Sequence, residues 1–473
     1  MTIRSVARRR SPLGVILIPL TLSGALLAGC SGPATTTTST SAPTTTAAPV
    51  TSTSAPITST APPTSTGSGD AAGPIVLQAW GDVTGQQTMW TQFTTNFPDQ
   101  AKGLSFQAVS AGANDADAVA KLRLQLSSGT DIPDIVQLNY SAVAEFAQAG
   151  VLADLGTLMT PYAGNVTQAA QTLMKYNGTV VAIPFEVKEK LWFYRSDLFS
   201  QAGIDPTKVT TQQQFVDAGK QLQKTSPKSY IWNLGPNPQQ YQWDMIVSGN
   251  GAKYSTQNPC AITVGTDPGL AAAFQAVKDL RASGVVANID DFTPEWQTAL
   301  ADGTVASTLS ASWLPQFLQQ YAPDLAGKWA VTTWPEIGGA TGGSEAGGSV
   351  FVIPNASKHK EGAVTFLASM LMTKKGAGAY VAANPSYIPN VVESLNDPAV
   401  RNNAYFGTSL IDAFLAASQS YKLFPFDPAS ITETTVLSEQ LAKYLASSDA
   451  SPASYLQAAQ AQLEAQVGCP WES

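Results

Sequence analysis

Aromatic residues at the ends of predicted strands and in polar loops are the side chains with the clearest chemical potential. They are Trp80, Tyr140, Trp192, Trp243, Trp313, Trp334 and Tyr387. Sugar rings present C–H faces that pack on aromatic faces, and sugar hydroxyls form hydrogen bonds with Asp, Asn, Gln or Arg side chains. A cleft lined by these residues would therefore suit a carbohydrate. Packing in the core is the alternative for each of them, above all for Trp192 and Trp334.

Motifs for covalent or metal-assisted catalysis are missing from the sequence. It has no G-x-S-x-G elbow, P-loop, HExxH helix or CxxC pair, and its single histidine, His359, makes a histidine-based zinc site or a Ser-His-Asp triad hard to build. Asp115 and Asp117 lack the glycine and closing glutamate of a calcium loop, so acids in the first turn of a helix are the better interpretation. The adjacent acids Asp290 and Asp291 leave an exported glycosidase as an alternative. We predict a protein that is not an enzyme and uses no metal or other cofactor.

Composition and charge indicate a large globular protein that does not bind nucleic acid. The 473 residues are 44% hydrophobic and only 13% charged, which is typical of a protein with extensive cores and two or three domains. The formal net charge is −8. Once the four arginines of the N-terminal segment are set aside, 22 of the 26 basic residues remain against 34 acidic ones. A nucleic-acid partner is not expected, because it requires a basic surface.

The N-terminus is predicted to be a targeting signal rather than part of the fold. Arg8-Arg9-Arg10 is followed by an apolar run over residues 13–27, which is shorter than the roughly 20 residues of a membrane span. The next residues read LAGC up to Cys30 and resemble the bacterial lipobox. We therefore predict a lipoprotein signal peptide over residues 1–29, lipidation of Cys30, and a location on the extracytoplasmic face of the cell membrane. A plain signal peptide with an incidental cysteine is the alternative.

Residues 30–73 are predicted to form a disordered tether, because they are almost entirely Thr, Ser, Pro, Ala and Gly and cannot bury enough apolar surface to fold. The tether would hold a folded body away from the membrane. If Cys30 carries lipid, Cys260 and Cys469 remain as a pair that an oxidising compartment would allow to form a disulfide. Two buried free thiols are the alternative.

The elements that position the aromatic residues begin at Pro74. Short apolar strands at 75–77, 104–109 and 135–138 alternate with helices, the first of them at 86–97. Strand–helix alternation of this kind predicts an α/β fold with a mostly parallel sheet. Farther along the chain, a polar and aromatic loop is predicted over residues 233–243.

One stretch, residues 176–204, indicates a chain that passes between two layers. Asn177-Gly178 predicts a turn, and a β-branched strand follows that Pro184 is expected to end. Charged residues at 186–190 separate this strand from an aromatic one at 191–194. Two interpretations stay open on the pattern alone: a crossing between layers, or an ordinary hairpin with a solvated loop.

The order of motifs resembles the extracellular solute-binding proteins of bacterial ABC importers, the large family that includes maltodextrin-binding proteins. The resemblance covers about residues 74–470. It rests on five pieces of sequence: LQAW at 77–80, GTDIPDIVQLNYSAVAEFAQAGVLADL at 129–155, the stretch 176–204, DGTVASTLSASW at 302–313, and GGSVFVIPNASK at 347–358 with Tyr387-Ile388-Pro389 after it.

The resemblance implies a two-lobe periplasmic-binding-protein fold of type II, in which each lobe has a mixed, mostly parallel sheet flanked by helices. It assigns residues 74–186 and 345–390 to an N-terminal lobe and residues 187–344 and 391–473 to a C-terminal lobe. Crossings are expected near 185–187, 338–347 and 390. It further implies a monomer that captures a sugar between closing lobes and delivers it to the transmembrane subunits of an ABC importer.

The same resemblance supplies a set of expected ligand-binding residues. They are Trp80, Asp82, Asn139, Tyr140, Lys188, Glu189, Gln239, Gln240, Trp243, Trp313, Gly348 and Ser349. Lys188 lies where maltodextrin binders carry an acid, so an anionic ligand such as a glycerophosphodiester or a uronate is an alternative to a neutral sugar.

Overall fold

The computed structural model describes residues 73–236, 240–384 and 387–471, with the side chains of residues 240 and 241 left out. The predicted signal peptide 1–29, Cys30, all of the tether but Gly73, and Gln239 lie outside the described residues. Within the described ranges, no helix is long and apolar enough to cross a membrane.

Fourteen strands are present in the described residues. They are β1 (Pro74–Ala79), β2 (Ser105–Ser110), β3 (Ile135–Asn139), β4 (Lys175–Tyr176), β5 (Thr179–Val180), β6 (Ala182–Glu186), β7 (Lys190–Arg195), β8 (Trp232–Asn233), β9 (Ser255–Gln257), β10 (Cys260–Ile262), β11 (Val286–Ala287), β12 (Ser307–Ala311), β13 (Trp329–Thr333) and β14 (Ser349–Val352).

Nineteen α-helices surround the strands in the described part of the chain. They are α1 (Thr84–Asn96), α2 (Pro98–Ala101), α3 (Asp115–Ser128), α4 (Tyr140–Gln148), α5 (Gly156–Met159), α6 (Gln168–Leu173), α7 (Ser196–Gln201), α8 (Gln212–Thr225), α9 (Gln240–Val247), α10 (Pro268–Ala282), α11 (Pro294–Asp302), α12 (Leu314–Tyr321), α13 (Lys360–Leu371), α14 (Lys374–Ala383), α15 (Val392–Leu395), α16 (Pro398–Arg401), α17 (Ser409–Gln419), α18 (Ser430–Ala446) and α19 (Ala453–Gln466).

The first sheet has the strand order β2-β1-β3-β14-β6. Strand β1 pairs in parallel with β2 and β3, whereas β14 is antiparallel to both β3 and β6. Its core includes the fully buried Ile75 and Leu77 of β1. On helix α1, Trp90 stacks on Phe106 of β2 with ring centroids 4.9 Å apart. The mixed sheet of the predicted fold class is therefore present in this part of the chain.

The second sheet, β12-β7-β13, is antiparallel throughout. This corrects the expectation that both lobes have mostly parallel sheets; the parallel pairings nearby are short, namely β8–β11 and isolated bridges such as Tyr230–Val305. Strand β7 lies in the centre of this sheet and follows β6 of the first sheet after three residues. Trp192 of β7 is completely buried and packs edge-on against Phe215, so core packing, the alternative for this residue, is its role in the fold.

Two further predictions from the sequence need correction. Pro184 lies inside β6 rather than at its end. This strand is at the edge of the first sheet, where a residue without an N–H is tolerated. The predicted polar loop 233–243 is helical from residue 240 onward, so Trp243 belongs to α9 and not to a loop.

The chain passes between the two sheets at the places where crossings were predicted. Residues 187–189 connect β6 of the first sheet to β7 of the second, and residues 334–348 lead from β13 back to β14. The two connections form a backbone bridge between Glu189 and Glu345. The buried Asn390 donates its amide to the carbonyl oxygens of Pro184 and Phe185, each at 3.2 Å, which brings a third segment to the first crossing. The residue boundaries of the lobes stay a prediction.

A disulfide joins Cys260, at the start of β10, to Cys469 near the C-terminus, with the two Cα atoms 5.7 Å apart. The predicted pairing is confirmed. Close by, the indole of Trp471 donates to the Ser255 hydroxyl of β9 at 2.9 Å, so the chain end is attached at two points to the β9–β10 hairpin.

Candidate functional site

A cleft of about 390 Å³ lies where residues from both sheets and from the second crossing come together. Its lining residues are Trp80, Asp115, Asn139, Tyr140, Ser141, Asp244, Phe292, Trp313, Phe317, Glu345, Gly347, Gly348 and Phe426. The volume falls within the range of small-ligand sites, about 300–1,000 Å³.

One wall is formed at the carboxyl ends of β1 and β3, where open α/β sheets bind ligands. Trp80 follows β1, Asn139 ends β3, and Tyr140 begins α4. The Asn139 amide donates to Asp115 Oδ2 at 2.7 Å, while Asn139 Oδ1 has no partner among the described residues. The Tyr140 hydroxyl donates to the Lys175 carbonyl at 2.5 Å, and burial raises the pKa of that hydroxyl. This wall therefore presents polar groups that are held in place.

A second part of the lining is aromatic and lies just after the end of β12. Trp313 precedes α12, and its indole donates to the Ala346 carbonyl at 3.1 Å. Phe292 lies 5.5 Å from the Trp313 ring, and Phe317 lies perpendicular to it at 5.6 Å. Phe292 keeps 45% of its surface exposed and has a φ of 64°, in the left-handed region that bulky residues rarely adopt. Such strain is found mainly at functional sites. This aromatic part of the lining is a platform on which a ring could stack.

Two acids, Glu345 and Asp244, also line the cleft. Glu345, in the second crossing, accepts hydrogen bonds from the backbone N–H groups of Ala346 and Gly348 and lies 3.3 Å from the Tyr421 hydroxyl. Burial raises the pKa of Glu345 to about 7. Asp244 of α9 is 6% exposed, and its Oδ1 has no partner among the described residues. Burial, together with the charges of Glu345 and Asp115, raises the Asp244 pKa well above its usual value.

Lys188 of the first crossing and Lys190 at the start of β7 form their ion pair and hydrogen bonds with residues that do not line the cleft. Lys188 forms an ion pair with Glu186 at 3.0 Å. Lys190 is fully buried and donates to the carbonyl oxygens of Met245 and Ser248, both at 3.0 Å. Burial lowers the pKa of Lys190 to about 7. The described lining residues therefore include three acids, Asp115, Asp244 and Glu345, and no lysine or arginine.

Five of the predicted site residues line this cleft: Trp80, Asn139, Tyr140, Trp313 and Gly348. No Cβ fits at Gly348, because it would overlap the Glu186 carbonyl oxygen and the Glu345 carboxylate. That these residues contact a ligand stays a prediction.

The other predicted residues lie elsewhere. Asp82 is exposed and accepts a hydrogen bond from the Thr84 amide, and Ser349 is buried with its hydroxyl bonded to Gln137. Lys188 and Glu189 belong to the first crossing and do not line the cleft. Trp243 is 1% exposed and donates to the Tyr254 hydroxyl at 2.9 Å, which places it in the core. Gln239 and the Gln240 side chain lie outside the described residues.

Sequence reasoning did not find several lining residues: Asp115, Ser141, Asp244, Phe292, Phe317, Glu345, Gly347 and Phe426. Asp115 was interpreted as a helix acid like Asp117. The structure separates the two, because Asp117 closes the capping box of α3 whereas Asp115 reaches Asn139. Glu345 had a usable signal, since it is the single acid within the glycine-rich run GGSEAGG.

Within the described residues, no group of three or more His, Cys, Asp or Glu is arranged to hold a metal ion. Asp291, one of the two acids that suggested a glycosidase, is buried and accepts a hydrogen bond from Asn233 at 2.5 Å. Neither it nor Asp290 lines the cleft.

Comparison with known proteins defines the class. The chain matches the bacterial extracellular solute-binding proteins over residues 89–408 and belongs to that family. This family comprises binding proteins of ABC importers and not enzymes. The glycosidase alternative for this chain is therefore wrong.

Individual relatives agree with this assignment. The chain is 29% identical to the lactose-binding protein of Rhizobium radiobacter over 337 aligned residues. The aligned region makes up 66% of this chain and 76% of the relative. The chain is 27% identical to the arabinooligosaccharide-binding protein of Halalkalibacterium halodurans over 266 aligned residues. This aligned region makes up 54% of this chain and only 58% of the relative. The sugar-binding protein MalE of Xanthomonas citri has the same fold, with a TM-score of 0.68 at 18% identity over 84% of this chain and 97% of that one.

Proposed function

We propose that this protein is the oligosaccharide receptor of an ABC importer. The observation that carries the proposal is the cleft itself, whose lining combines the aromatic pair Phe292 and Trp313 with the polar pair Asn139 and Asp115. A sugar ring has an apolar C–H face for the platform and hydroxyls for the wall. The named relatives bind lactose and arabinooligosaccharides, which supports the same ligand class here.

The mechanism is capture without covalent chemistry. Glu345, Gly347 and Gly348 of the second crossing line the cleft, and the two crossings, 187–189 and 334–348, are the connections about which a hinge would close. A sugar that touches Trp80 and Asn139 on one side and Trp313 on the other stabilises the closed arrangement of the two lobes. The closed form would then deliver the sugar to the transmembrane subunits.

Anchoring through lipid at Cys30 completes the proposal. The sequence up to Cys30 has the n-region, apolar run and LAGC order of a lipoprotein signal, and residues 31–73 are long enough to separate the folded part from the membrane. The Cys30→Ser variant of the full chain should lose membrane association and incorporation of a labelled fatty acid. Unchanged membrane association of the variant would contradict the anchor.

A screen of sugar binding tests the ligand class. Purified protein is heated with di- and oligosaccharides of different linkage, with monosaccharides, and with glycerophosphodiesters and uronates as the charged comparison. A ligand that binds only the folded state raises Tm, and the increase grows with the logarithm of its concentration once the ligand exceeds its Kd. We expect an increase with at least one neutral or amino-bearing oligosaccharide. An increase with anionic compounds alone would contradict the proposal, and no observation of the cleft favours such ligands, because Lys188 is paired with Glu186.

A further inference from the structure

We propose that the sugar which fits this cleft best carries a protonated amino group, so that the ligand is a cationic amino sugar rather than a neutral one. The inference rests on the proposed function, because it specifies the class of sugar for the same site. Three observations support it: the charge of the lining, a buried acid without a partner, and the aromatic surfaces beside it.

The charge of the cleft is one-sided. Asp115, Asp244 and Glu345 all line it, while the described lining residues include no lysine or arginine. The charge of Lys188 reaches Glu345 but Lys188 is itself paired with Glu186, and Lys190 donates to the Met245 and Ser248 carbonyls. Burial raises the pKa values of Asp244 and Glu345 and so favours their neutral forms, whereas a bound cation would favour the carboxylates and attract their full charge.

Asp244 identifies where a cation would bind. It is 94% buried, and its Oδ1 has no hydrogen-bond partner among the described residues although it lines the cleft. A buried acceptor without a donor destabilises a protein. An ammonium group offers three N–H donors and a full positive charge, which suits an acid with Glu345 close to it.

The aromatic residues add a second attraction for positive charge. Two aromatic pairs line the cleft: Trp313 with Phe292, and Tyr140 with Phe426, whose ring centroids lie 6.3 Å apart. The face of an aromatic ring attracts a cation, most strongly where water is excluded. A sugar hydroxyl gains hydrogen bonds from the acids but nothing comparable from these faces, so the amine should be preferred over the hydroxyl at the same ring position.

Matched pairs of ligands test the proposal directly. Isothermal titration at pH 7 compares sugars that differ only in the amine: glucosamine with glucose, galactosamine with galactose, and β-1,4-linked di-glucosamine with cellobiose and with its N-acetylated form. We expect at least one amino sugar to bind at least about tenfold more tightly than its hydroxyl and acetyl counterparts, as close charge pairs in interfaces do. The preference should shrink as NaCl is raised.

The outcomes separate this inference from the proposed function. Suppose that, in every pair that binds, the hydroxyl or acetyl sugar binds at least as tightly as the amino sugar. The proposed preference for an amino group is then wrong, while the proposed function as a carbohydrate receptor still holds. If no sugar of either kind binds, while other compounds raise Tm, both proposals fail.

Variants of the acids provide the second test. Asp244→Asn keeps the size of the side chain and removes its charge, so it should weaken the preferred amino sugar at least about tenfold and its hydroxyl counterpart by less than about threefold. Asp99→Asn, at an exposed position on α2, is the matched control and should change neither affinity. Equal weakening of both sugars by Asp244→Asn would contradict a specific charge pair. Glu345→Gln serves the same comparison if the first variant does not fold.

Discussion

Trp313 is the residue on which sugar stacking in this cleft depends most. Its ring is half-buried rather than part of the core, and the indole N–H is fixed by the Ala346 carbonyl at 3.1 Å. Phe317 lies perpendicular to it, with ring centroids 5.6 Å apart. The ring is therefore held in position by its neighbours while it still lines the cleft, which is what a stacking residue requires.

Replacing Trp313 by alanine should weaken sugar affinity by at least about 1–2 kcal/mol, because buried aromatic anchors contribute this much or more to recognition. Isothermal titration with the best sugar of the screen measures the change. Trp243→Phe is the control: it removes the bond to Tyr254 in the core and should lower Tm while leaving affinity unchanged. Unchanged affinity in Trp313→Ala would exclude that residue from the site.

Glu345 makes stability depend on pH in a direction opposite to that of an ordinary carboxylate. Burial raises its pKa from 4.5 to about 7 in the folded protein. Between these values the folded state binds more protons than the unfolded state. The free energy of unfolding contributed by this group is therefore fully present below about pH 4.5 and is lost as pH rises to about 7 and above.

Glu345→Gln should remove this dependence, because the amide resembles the protonated acid and can still accept from Ala346 and Gly348. Without ligand, the variant and the natural protein should be similar in stability at pH 4, and the variant should be more stable at pH 8 by up to about 3 kcal/mol. Urea unfolding at pH 4 and at pH 8 measures this difference in the free energy of unfolding between the variant and the natural protein. Lys190, whose pKa is lowered to about 7, has the opposite sign, but it is present in both proteins. Exposed Glu361→Gln is the control, and a variant less stable at pH 8 would contradict the assignment.

The site residues that sequence could predict are those fixed by local position. Trp80 follows β1, Asn139 ends β3, and Trp313 ends the STLSASW run, so each is at a strand end whatever the tertiary detail. Asp244 and Glu345 are not at strand ends, and they meet only after α9 and the second crossing pack together. Trp243 shows the converse error, since a polar neighbourhood in sequence does not reveal that one helix face is buried.

At the scale of elements, helix α3 connects a capping motif to the site. Asn114 Oδ1 accepts from the Asp117 N–H at 3.1 Å, and the Asp117 carboxylate accepts from the Asn114 N–H at 3.2 Å. The cap fixes the first turn, and Asp115 in that turn holds Asn139 at 2.7 Å. The interpretation of Asp115 and Asp117 as acids in the first turn of a helix is confirmed. The position of this turn beside the cleft could not be predicted, because it depends on how β2 and β3 pair with β1.

Loss of this cap should affect both folding and binding. Asn114→Ala should lower stability by about 1 kcal/mol, the usual cost of removing a helix N-cap. It should also weaken sugar affinity, because Asp115 and Asn139 are no longer fixed. Thr211→Ala removes the equivalent capping box of α8, which does not line the cleft, and should lower stability by a similar amount with no change in affinity. Equal effects of the two variants on affinity would contradict the link between the α3 cap and the site.

The edge position of β6 shows why element boundaries were harder to predict than elements. Pro184 was expected to end a strand, yet β6 continues through it to Glu186 because its free edge faces away from β14. Strand order is a long-range property. The same reason explains the antiparallel second sheet, where alternation of strands and helices in sequence predicted parallel pairing.

At the scale of the whole molecule, the order of motifs was sufficient to predict the fold class, whereas composition alone was not. Two sheets joined by the crossings 187–189 and 334–348 reproduce the expected architecture. One disulfide bond joins two distant positions in the second part of the chain. Cys260 and Cys469 are separated by 209 residues, so nearly half of the sequence lies within the loop they close.

This loop makes the disulfide a stabiliser of the folded chain. Closing a loop of this length restricts the unfolded state strongly, and removing a native disulfide typically costs about 2–4 kcal/mol. The double variant Cys260→Ser/Cys469→Ser should lose that amount in urea unfolding. Because neither cysteine lines the cleft, sugar affinity below Tm should be unchanged.

Reduction supplies the matched control. Dithiothreitol should lower the Tm of the natural protein to that of the double variant and leave the variant itself unaffected. If reduction lowers both equally, the loss comes from the reductant and not from the bond. If the variant loses sugar affinity while still folded, the attachment of the C-terminus at Cys469 and Trp471 contributes to the shape of the cleft, and the separation of stability from binding argued here is wrong.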